Sequence, residues 1–289
     1  MTAQDVVKRL TWLGHDSFRL DGPPVKVDLP AAAALPILMY HHVSPNPGLV
    51  TVSPGIFRNH MEALAAAGWR TAGLDEAVRF FRGEPLPAKT CIVTFDDAYL
   101  DNQVYAAPVL AACGLKAVIF AVTGWMGDGP VREGLQETPD HRECKRRIAN
   151  GAADSVVLRW SEAERLQSAG IFEFHSHTHT HTRWDKILSD PMQRETALVD
   201  DLTESRRQLE KRLGVHSNHL CWPQGYYDDQ YLTTAKRLGF KHFYTTEPSV
   251  NRPNSAVDRI GRIVTKEKSG NWLLRRTRLY AAPWLGGIY

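Results

Sequence analysis

The sequence predicts an α/β fold in which parallel strands form a closed or nearly closed barrel. From residue 36 onward, short apolar runs alternate with helical patterns, and roughly seven such strand–helix units follow one another. The run at residues 91–95 is continuously apolar, as expected for a strand buried on both faces. A chain of 289 residues with 43% apolar residues is ample for one large domain of this kind.

The first half of the predicted barrel domain extends from residue 36 to residue 122. Ser53 and Pro54 provide a helix N-cap and a first-turn proline, and apolar residues then recur at helical spacing up to Gly68. Strands are predicted at residues 37–40, 69–71, 91–95 and 117–122. Further helices are predicted at residues 75–81 and 105–113.

The second half repeats the same unit. A capping box predicts a helix that begins at Ser161 and ends near Gly170, and a long charged helix is capped by Asp190 and stops at Gly214. Strands are predicted at residues 171–174, 219–222, 241–245 and 256–264. Shorter helices are predicted at residues 228–238 and 271–280.

Two segments depart from this rhythm. Residues 1–35 are predicted to be an N-terminal appendage and linker, with a hairpin-like strand pair at residues 10–20, so that the barrel domain covers residues 36–289. Residues 124–154 form an inserted loop rich in glycine and charge. Two interpretations stay open for this insertion, a lid over the functional site or a disordered surface segment.

Charge and composition exclude several classes of function. The net charge is +3 and basic residues are dispersed among acidic ones, which predicts no nucleic-acid partner. No window of about eighteen consecutive apolar residues exists, so no transmembrane helix is expected. The N-terminus lacks the apolar core of a signal peptide, which predicts a cytoplasmic protein. The four cysteines are widely spaced and are expected to be reduced.

A histidine run directly follows the predicted strand at residues 171–174. His175, His177, His179 and His181 alternate with hydroxyl residues. In an extended strand, histidines two residues apart lie about 6.6 Å apart on one face, whereas those four apart are separated by about 13 Å. In a helical turn, His177 and His181 become neighbours at about 5–6 Å, a distance that suits a single metal ion. Both geometries are open at this point.

Asp96 and Asp97 follow the buried strand at residues 91–95. Adjacent aspartates before a helix often act as caps. However, the carboxyl ends of strands meet at one face of a parallel barrel, where active sites lie, and the histidine run ends a second strand there. A carboxylate with two imidazoles is a ligand set typical of a catalytic divalent ion. One aspartate would then be the ligand and the other the base.

The chain resembles the polysaccharide deacetylases with the NodB homology domain, which form carbohydrate esterase family four. The resemblance rests on Thr-Phe-Asp-Asp at residues 94–97, His-Thr-x-x-His at residues 177–181 and Pro-x-Gly at residues 223–225. Leu-Met-Tyr-His-His-Val at residues 38–43 is similar to the opening strand of the subgroup that acts on poly-N-acetylglucosamine-like substrates. The resemblance covers about residues 36–265 and implies a distorted (β/α)₇ barrel.

The resemblance also implies an activity and a set of roles. It identifies Asp97, His177 and His181 as ligands of a divalent metal, with Zn²⁺ as the first choice and Co²⁺, Ni²⁺ or Fe²⁺ as alternatives. It identifies Asp96 as the general base that accepts a proton from metal-bound water as this water attacks an N-acetyl group. His175 and His179 then fall outside the ligand set, and His177–His181 is expected to form a helical turn after the strand. The backbone N–H of Gln224 is expected to stabilise the oxyanion.

The chain departs from the family pattern at two places. Cys221 stands where many members carry an arginine that orients the catalytic aspartate, and we expect Arg259 to replace it. The usual C-terminal Leu-x-His motif is missing, and we expect His41, which follows the first strand, to be the general acid. Tyr226 is a candidate for stacking against a sugar ring.

The predicted function is therefore removal of N-acetyl groups from an N-acetylated sugar or polysaccharide. One alternative is hydrolysis of another amide, including a cyclic one, on the same fold. A second alternative is a catalytically inactive carbohydrate-binding relative, because the arginine and the C-terminal motif are replaced. Release of acetate, opening of a ring and binding without turnover distinguish the three.

Overall fold

A curled, parallel sheet forms the centre of this computed structural model, which describes residues 30–134 and 136–282. The bounds of the strands are β1 Ile37–Tyr40, β2 His42–Val43, β3 Thr51–Val52, β4 Arg70–Thr71, β5 Thr90–Asp96, β6 Ala117–Ala121, β7 Phe172–Ser176, β8 His219–Cys221, β9 His242–Tyr244 and β10 Ile263–Val264. Along the sheet the strands follow the order β10-β1-β5-β6-β7-β8-β9, and β4 pairs with β5 outside this path.

Helices connect the strands and cover the sheet. The α-helices are α1 Pro54–Ala66, α2 Leu74–Phe81, α3 Ala107–Ala112, α4 His141–Ala149, α5 Trp160–Ser168, α6 Trp184–Ile187, α7 Pro191–Leu213, α8 Asp229–Arg237 and α9 Gly270–Ala281. A π-helical turn, Asn102–Ala106, precedes α3, and 3₁₀ turns occur at Ala153–Ser155 and Pro223–Gly225. The predicted caps at Ser53 and Asp190 are confirmed, since both side chains accept hydrogen bonds from the first turns of α1 and α7.

The architecture is a distorted (β/α)₇ barrel, as the sequence predicts. β5 is buried along its whole length, which explains its continuous apolar run. The end of the sheet is closed irregularly: the Phe243 N–H donates to the Val257 carbonyl at 2.8 Å and the Thr245 N–H to the Ile260 carbonyl at 3.0 Å. The prediction of a strand over residues 256–264 is therefore wrong in extent, because only Ile263–Val264 pairs regularly, with β1.

The inserted loop, residues 124–154, is ordered around a buried ion pair in the part that the structure describes. Arg132 donates from Nε to Glu162 at 2.8 Å and from Nη2 to the Val157 carbonyl at 2.8 Å. Glu162 is completely buried at the start of α5, so it holds the insertion against the barrel. The part of the insertion that the structure describes includes α4, and its role as a lid over the site stays a prediction.

The boundary of the barrel lies close to the predicted linker. The Ala32 N–H donates to the Leu86 carbonyl at 2.8 Å and Leu35 is fully buried, so the end of the linker packs on the barrel unit. The hairpin predicted at residues 10–20 lies outside the described residues.

Among the helices that the structure describes, none has the length and apolarity needed to cross a bilayer.

Candidate active site

Asp96 and Asp97 both face one pocket because the backbone leaves the strand between them. Asp96 is the last residue of β5, and Asp97 has a φ of +72°, in the left-handed region. This change interrupts the alternation by which successive strand residues point to opposite faces. The Asp97 N–H still donates to the Phe120 carbonyl of β6 at 2.9 Å, which fixes the turn. The two carboxylates are 2% and 3% exposed.

Asp96 is held by a buried arginine, Arg262. Two parallel hydrogen bonds join them, from Nη1 to Oδ1 at 2.6 Å and from Nη2 to Oδ2 at 2.8 Å. Arg262 is itself fixed, since its Nε donates to the Thr245 carbonyl at 2.9 Å and its Nη2 to Cys221 Sγ at 3.0 Å. Burial alone would raise the pKa of Asp96, but the charge and hydrogen bonds of Arg262 hold it below its usual value. Asp96 is therefore an ionised carboxylate in a dry pocket.

The expected role of Arg259 is wrong. Its side chain lies on the surface, where Nε donates to Glu247 Oε2 at 2.9 Å. Arg262, three residues further along the chain, makes the contact with Asp96 that was predicted for Arg259. The sequence signal that was missed is a lone arginine that directly precedes the apolar pair Ile263–Val264, inside the predicted last strand.

Asp97 faces two imidazoles. Its Oδ1 lies 3.6 Å from His177 Nε2 and 3.6 Å from His181 Nε2. This oxygen is buried and accepts no hydrogen bond from the described residues. Burial alone would raise the pKa of Asp97, but its interactions with the charged forms of His181 and then His177, present at the low pH where Asp97 titrates, hold this pKa well below its usual range. A buried, ionised oxygen without a partner is costly unless a cation satisfies it.

The two histidines come together in a loop, so the predicted helical turn over residues 177–181 is wrong. Thr178 and His181 have φ values of +66° and +60°, which a helix does not allow. The loop is held from α7: Asp201 accepts from the N–H of His179 at 2.7 Å and of Thr180 at 2.8 Å. Asp201 is 4% exposed, and this contact was not predicted. The rings of the predicted pair still meet, with centroids 4.9 Å apart.

A buried hydrogen bond orients His177. Its Nδ1 donates to the Cys221 carbonyl at 2.8 Å, which leaves the lone pair of Nε2 directed at Asp97. Burial lowers the pKa of His181 to about 4 although Asp97 opposes the shift, so its imidazole is neutral at pH 7. A ring nitrogen without a proton, such as Nε2 of an imidazole that donates from Nδ1, is a suitable metal ligand.

Asp97, His177 and His181 therefore fit a divalent cation, since their ligand atoms lie within 4.8 Å of one another. A second group of donors, Asp96, His177 and Cys221, also lies within this limit. It fits less well because both oxygens of Asp96 already accept from Arg262, and burial raises the pKa of the Cys221 thiol so that it stays protonated.

His41 lies beside Asp96, where the sequence places it. Its Nε2 is 3.7 Å from Asp96 Oδ2, and its side chain is 18% exposed. Burial lowers its pKa, while the charges of Asp96 and Asp97 act in the opposite direction.

Gln224 and Tyr226 lie on the loop after β8, at the same end of the barrel. Gln224 has a φ of +57° and an exposed side chain, and the turn requires glycine at the next position because a Cβ on Gly225 would lie 2.3 Å from Thr246 Oγ1. Tyr226 is half-buried, and the Arg183 guanidinium lies 3.6 Å from its ring centroid. One face of this ring is therefore already occupied by a cation.

His175 and His179 take no part in the ligand group. His175 Nδ1 bonds Ser217 Oγ at 3.0 Å, and His179 Nδ1 bonds Thr123 Oγ1 at 2.9 Å. Both side chains are half-buried. Each ring makes a polar contact of its own, His175 on β7 and His179 within the loop that carries His177 and His181.

Comparison with known proteins gives consistent results. A family model described as polysaccharide deacetylase matches residues 83–243, which include both aspartates and the histidine run. The protein YxkH of Bacillus subtilis is 26% identical over 225 residues, which are 78% of this chain and 68% of that protein. A poly-beta-1,6-N-acetyl-D-glucosamine N-deacetylase of Staphylococcus aureus is 22% identical over 230 residues, covering 78% of this chain and 71% of that enzyme. The solved structure of the Streptococcus pyogenes deacetylase PplD in complex with acetate is similar in fold, with a TM-score of 0.68, 24% identity, and coverage of 85% of this chain and 98% of PplD.

Proposed function

Because this chain belongs to the polysaccharide deacetylase family, we propose that it removes N-acetyl groups from an N-acetylated sugar or polysaccharide with a divalent cation held by Asp97, His177 and His181. The observation that carries the proposal is the buried Asp97 oxygen, which has no hydrogen-bond partner among the described residues and faces two imidazole Nε2 atoms at 3.6 Å. The Staphylococcus aureus relative, named for the removal of N-acetyl groups from poly-N-acetylglucosamine, supports the substrate class.

When bound, a divalent cation at these ligands supplies Lewis acidity, which makes water a stronger nucleophile and polarises an amide carbonyl. We assign Zn²⁺ as the first choice, with Co²⁺, Ni²⁺ or Fe²⁺ as alternatives that a set of one carboxylate and two imidazoles also suits.

Asp96 is the general base in this proposal. Its carboxylate is ionised and buried, and Arg262 holds both of its oxygens. The carboxylate is therefore in position to accept a proton from the attacking water. Arg262 is a positioning residue, since it touches only the base and not the substrate. The bidentate contact fixes the plane of the carboxylate before the substrate arrives.

His41 and Gln224 complete the proposed reaction. The backbone N–H of Gln224 donates to the oxyanion that develops on the carbonyl oxygen. His41 in its imidazolium form, which the charges of Asp96 and Asp97 favour, gives a proton to the nitrogen of the departing amine, so that the C–N bond breaks to give acetate and a free amino sugar. The proton that Asp96 took from water then restores His41, whose Nε2 lies 3.7 Å away. Tyr226 presents an aromatic edge near this end of the barrel for contact with a sugar ring. The cytoplasmic location expected from the sequence stays a prediction.

Metal analysis combined with acetate release tests the proposal. The wild-type protein, incubated with N-acetylglucosamine oligomers, is expected to contain about one equivalent of divalent metal and to release acetate. Asp97→Asn is expected to lose the metal and the activity together, because the amide cannot supply the negative charge of the ligand set. Asp200→Asn, an exposed aspartate on α7, is the matched control and should retain both.

Three outcomes would contradict the proposal in different ways. An Asp97→Asn variant that keeps both metal and turnover would exclude the ligand set. Opening of a cyclic amide without acetate release would show a different hydrolase. Stoichiometric metal with sugar binding and no turnover would show an inactive carbohydrate-binding protein.

A further inference from the structure

A second polar network lies beside the candidate metal ligands and shares no residue with them. His42 Nδ1 lies 2.5 Å from Asp101 Oδ2, and His42 Nε2 lies 3.1 Å from His141 Nδ1. The three residues come from different parts of the fold: His42 from β2, Asp101 from the segment after β5, and His141 from the first turn of α4 in the insertion.

The inner part of this network is buried. His42 is 0% and Asp101 is 2% exposed. The second oxygen of Asp101 accepts from the Val43 N–H at 3.1 Å and from Asn102 Nδ2 at 2.8 Å, so the carboxylate is fully hydrogen-bonded. His42 is further fixed by stacking on Tyr99, with ring centroids 3.7 Å apart. Such a network has one geometry, and it is set before any ligand binds.

The hydrogen-bond donors of the network point in one direction. Asp101 is an acceptor, so His42 carries a proton on Nδ1, and we assign it no second proton, which makes its Nε2 an acceptor. His141 must therefore donate from Nδ1, which leaves a lone pair on its Nε2. No described residue bonds that second nitrogen, and His141 is half-buried, at the outer end of the chain of bonds.

His141 is near the reacting groups. His42 directly follows His41, and its partner Tyr99 is two residues beyond Asp97. Burial lowers the pKa of His141 to about 4, while Asp97 acts in the opposite direction. The imidazole is thus neutral at pH 7.

Helix α4 also flanks the metal ligands through a second residue on the same face. Lys145, one helical turn after His141, lies 4.6 Å from the centroid of the Trp125 ring. That ring in turn lies 5.2 Å from the ring of His181. The insertion therefore borders the candidate site with one helix face, and His141 is the residue of that face whose hydrogen bonding is prearranged from the barrel.

We propose that His141 binds the substrate by accepting a hydrogen bond from a sugar hydroxyl at Nε2, and that Asp101 and His42 are positioning residues which fix its tautomer. This inference rests on the proposed function, because the N-acetylated sugar proposed there is a substrate that bears hydroxyl groups. A neutral imidazole with one free lone pair selects a donor, and hydroxyl groups are the donors that an N-acetylated sugar presents in number. His141 then holds the ring while Asp96 acts as the base at the acetyl group.

Three substitutions separate this role from a purely structural one. His141→Asn keeps a polar atom at the position of Nδ1 and removes the Nε2 atom, whereas His141→Gln places an amide oxygen near Nε2. Asp101→Asn is nearly isosteric and presents an N–H to His42 Nδ1, which moves the proton of His42 to Nε2 and reverses the direction of the network. His141 then carries its proton on Nε2 and becomes a donor.

The measurement is kcat and KM for acetate release from N-acetylglucosamine oligomers, together with the melting temperature. His141→Asn and Asp101→Asn are each expected to raise KM roughly five- to tenfold with a small change in kcat, and the double variant should be no worse than either single one. His141→Gln should stay within about twofold of wild type, because a hydrogen-bond acceptor is retained. ¹⁵N chemical shifts of the imidazoles should show that His141 carries its proton on Nδ1 in the wild type and on Nε2 in Asp101→Asn.

The outcomes distinguish this inference from the proposed function. A wild type that deacetylates these oligomers, with a His141→Asn variant of unchanged KM, would overturn the inference alone. A lower melting temperature without a change of KM would show a purely structural network and would also overturn it. A wild type that neither binds nor deacetylates the oligomers would overturn the proposed function, and the substrate role of His141 with it.

Discussion

The strongest single contact of the candidate site is the bidentate pair between Arg262 and Asp96. Both residues are nearly inaccessible, with 0% and 2% exposure. Removing one partner of such a pair leaves an uncompensated buried charge, which costs more than the pair contributes. Arg262 therefore determines both the ionisation of the proposed base and the stability of the barrel around it.

Arg262→Gln is expected to lower the free energy of unfolding by about 3–5 kcal/mol. It should also raise the pKa of Asp96, because burial then acts without the opposing guanidinium, so that the acidic limb of the kcat profile shifts to higher pH. Denaturant unfolding and pH–rate profiles measure the two effects. Arg259→Gln is the matched control: its ion pair with Glu247 is exposed, so a change below about 0.5 kcal/mol is expected. Equal losses in the two variants would contradict the assignment.

At the scale of an element, helix α7 fixes the histidine loop through residues that are not themselves proposed metal ligands. Asp201 accepts from two backbone N–H groups of the loop and from Trp184 Nε1 at 3.0 Å. Thr178 and His181 have left-handed backbone conformations, which cost free energy unless the surroundings impose them. The orientation of the loop that carries the proposed metal ligands thus depends on a carboxylate that is not one of those ligands.

Asp201→Ala is expected to weaken metal binding about 10–100-fold, because the loop loses the contacts that orient His177 and His181. Titration with a competing chelator measures the affinity, and circular dichroism checks that the barrel remains folded. The neighbouring Asp200→Ala, on the exposed side of the same helix, removes the same charge and should bind metal as the wild type does. If both variants bound metal equally well, the proposed support of the loop by α7 would be wrong.

At the scale of the whole molecule, a cluster of buried histidines makes the barrel sensitive to acid. The ring of His219 stacks on His242 with centroids 4.7 Å apart and lies 4.8 Å from His175, and its Nδ1 bonds the Tyr244 hydroxyl at 3.1 Å. Burial, then the proximity of the other two imidazoles, lowers the pKa of His219 well below its ordinary value. The folded barrel keeps it neutral, while the unfolded chain protonates it near pH 6.5.

The sign of the pH dependence follows from the lowered pKa. Above about pH 6.5 His219 is neutral in both states, and as the pH falls below this value the unfolded chain takes up the proton first, so stability decreases. His219→Asn, which keeps a polar partner for Tyr244, is expected to remove about 2 kcal/mol of the loss between pH 7 and pH 4.5. Urea unfolding at a series of pH values measures it. His216→Asn, an exposed control, should follow the wild-type curve, and an unchanged curve for His219→Asn would refute the explanation.

Local sequence patterns were sufficient for most of the barrel. The apolar run of β5 and the caps at Ser53 and Asp190 depend on near neighbours, so they could be predicted. The irregular closure at residues 257–262 and the left-handed histidine loop could not, because each is imposed by partners distant in the chain. The ordering of the insertion depends likewise on Arg132 reaching the buried Glu162 of α5.

The sequence alone, through its strand periodicity and its resemblance to one family, determined the fold class and which side chains lie at the carboxyl ends of the strands. Asp96, Asp97, His177 and His181 carry that information in short motifs. Only the tertiary structure decided that Arg262 and not Arg259 holds Asp96, and that His141 joins a network with His42 and Asp101. The physical reason is that Arg262 and Asp96 are 166 residues apart in the chain. A shift of one residue in a strand turns a side chain from the barrel to the solvent, so pairings over such separations are fixed by register and packing rather than by local pattern.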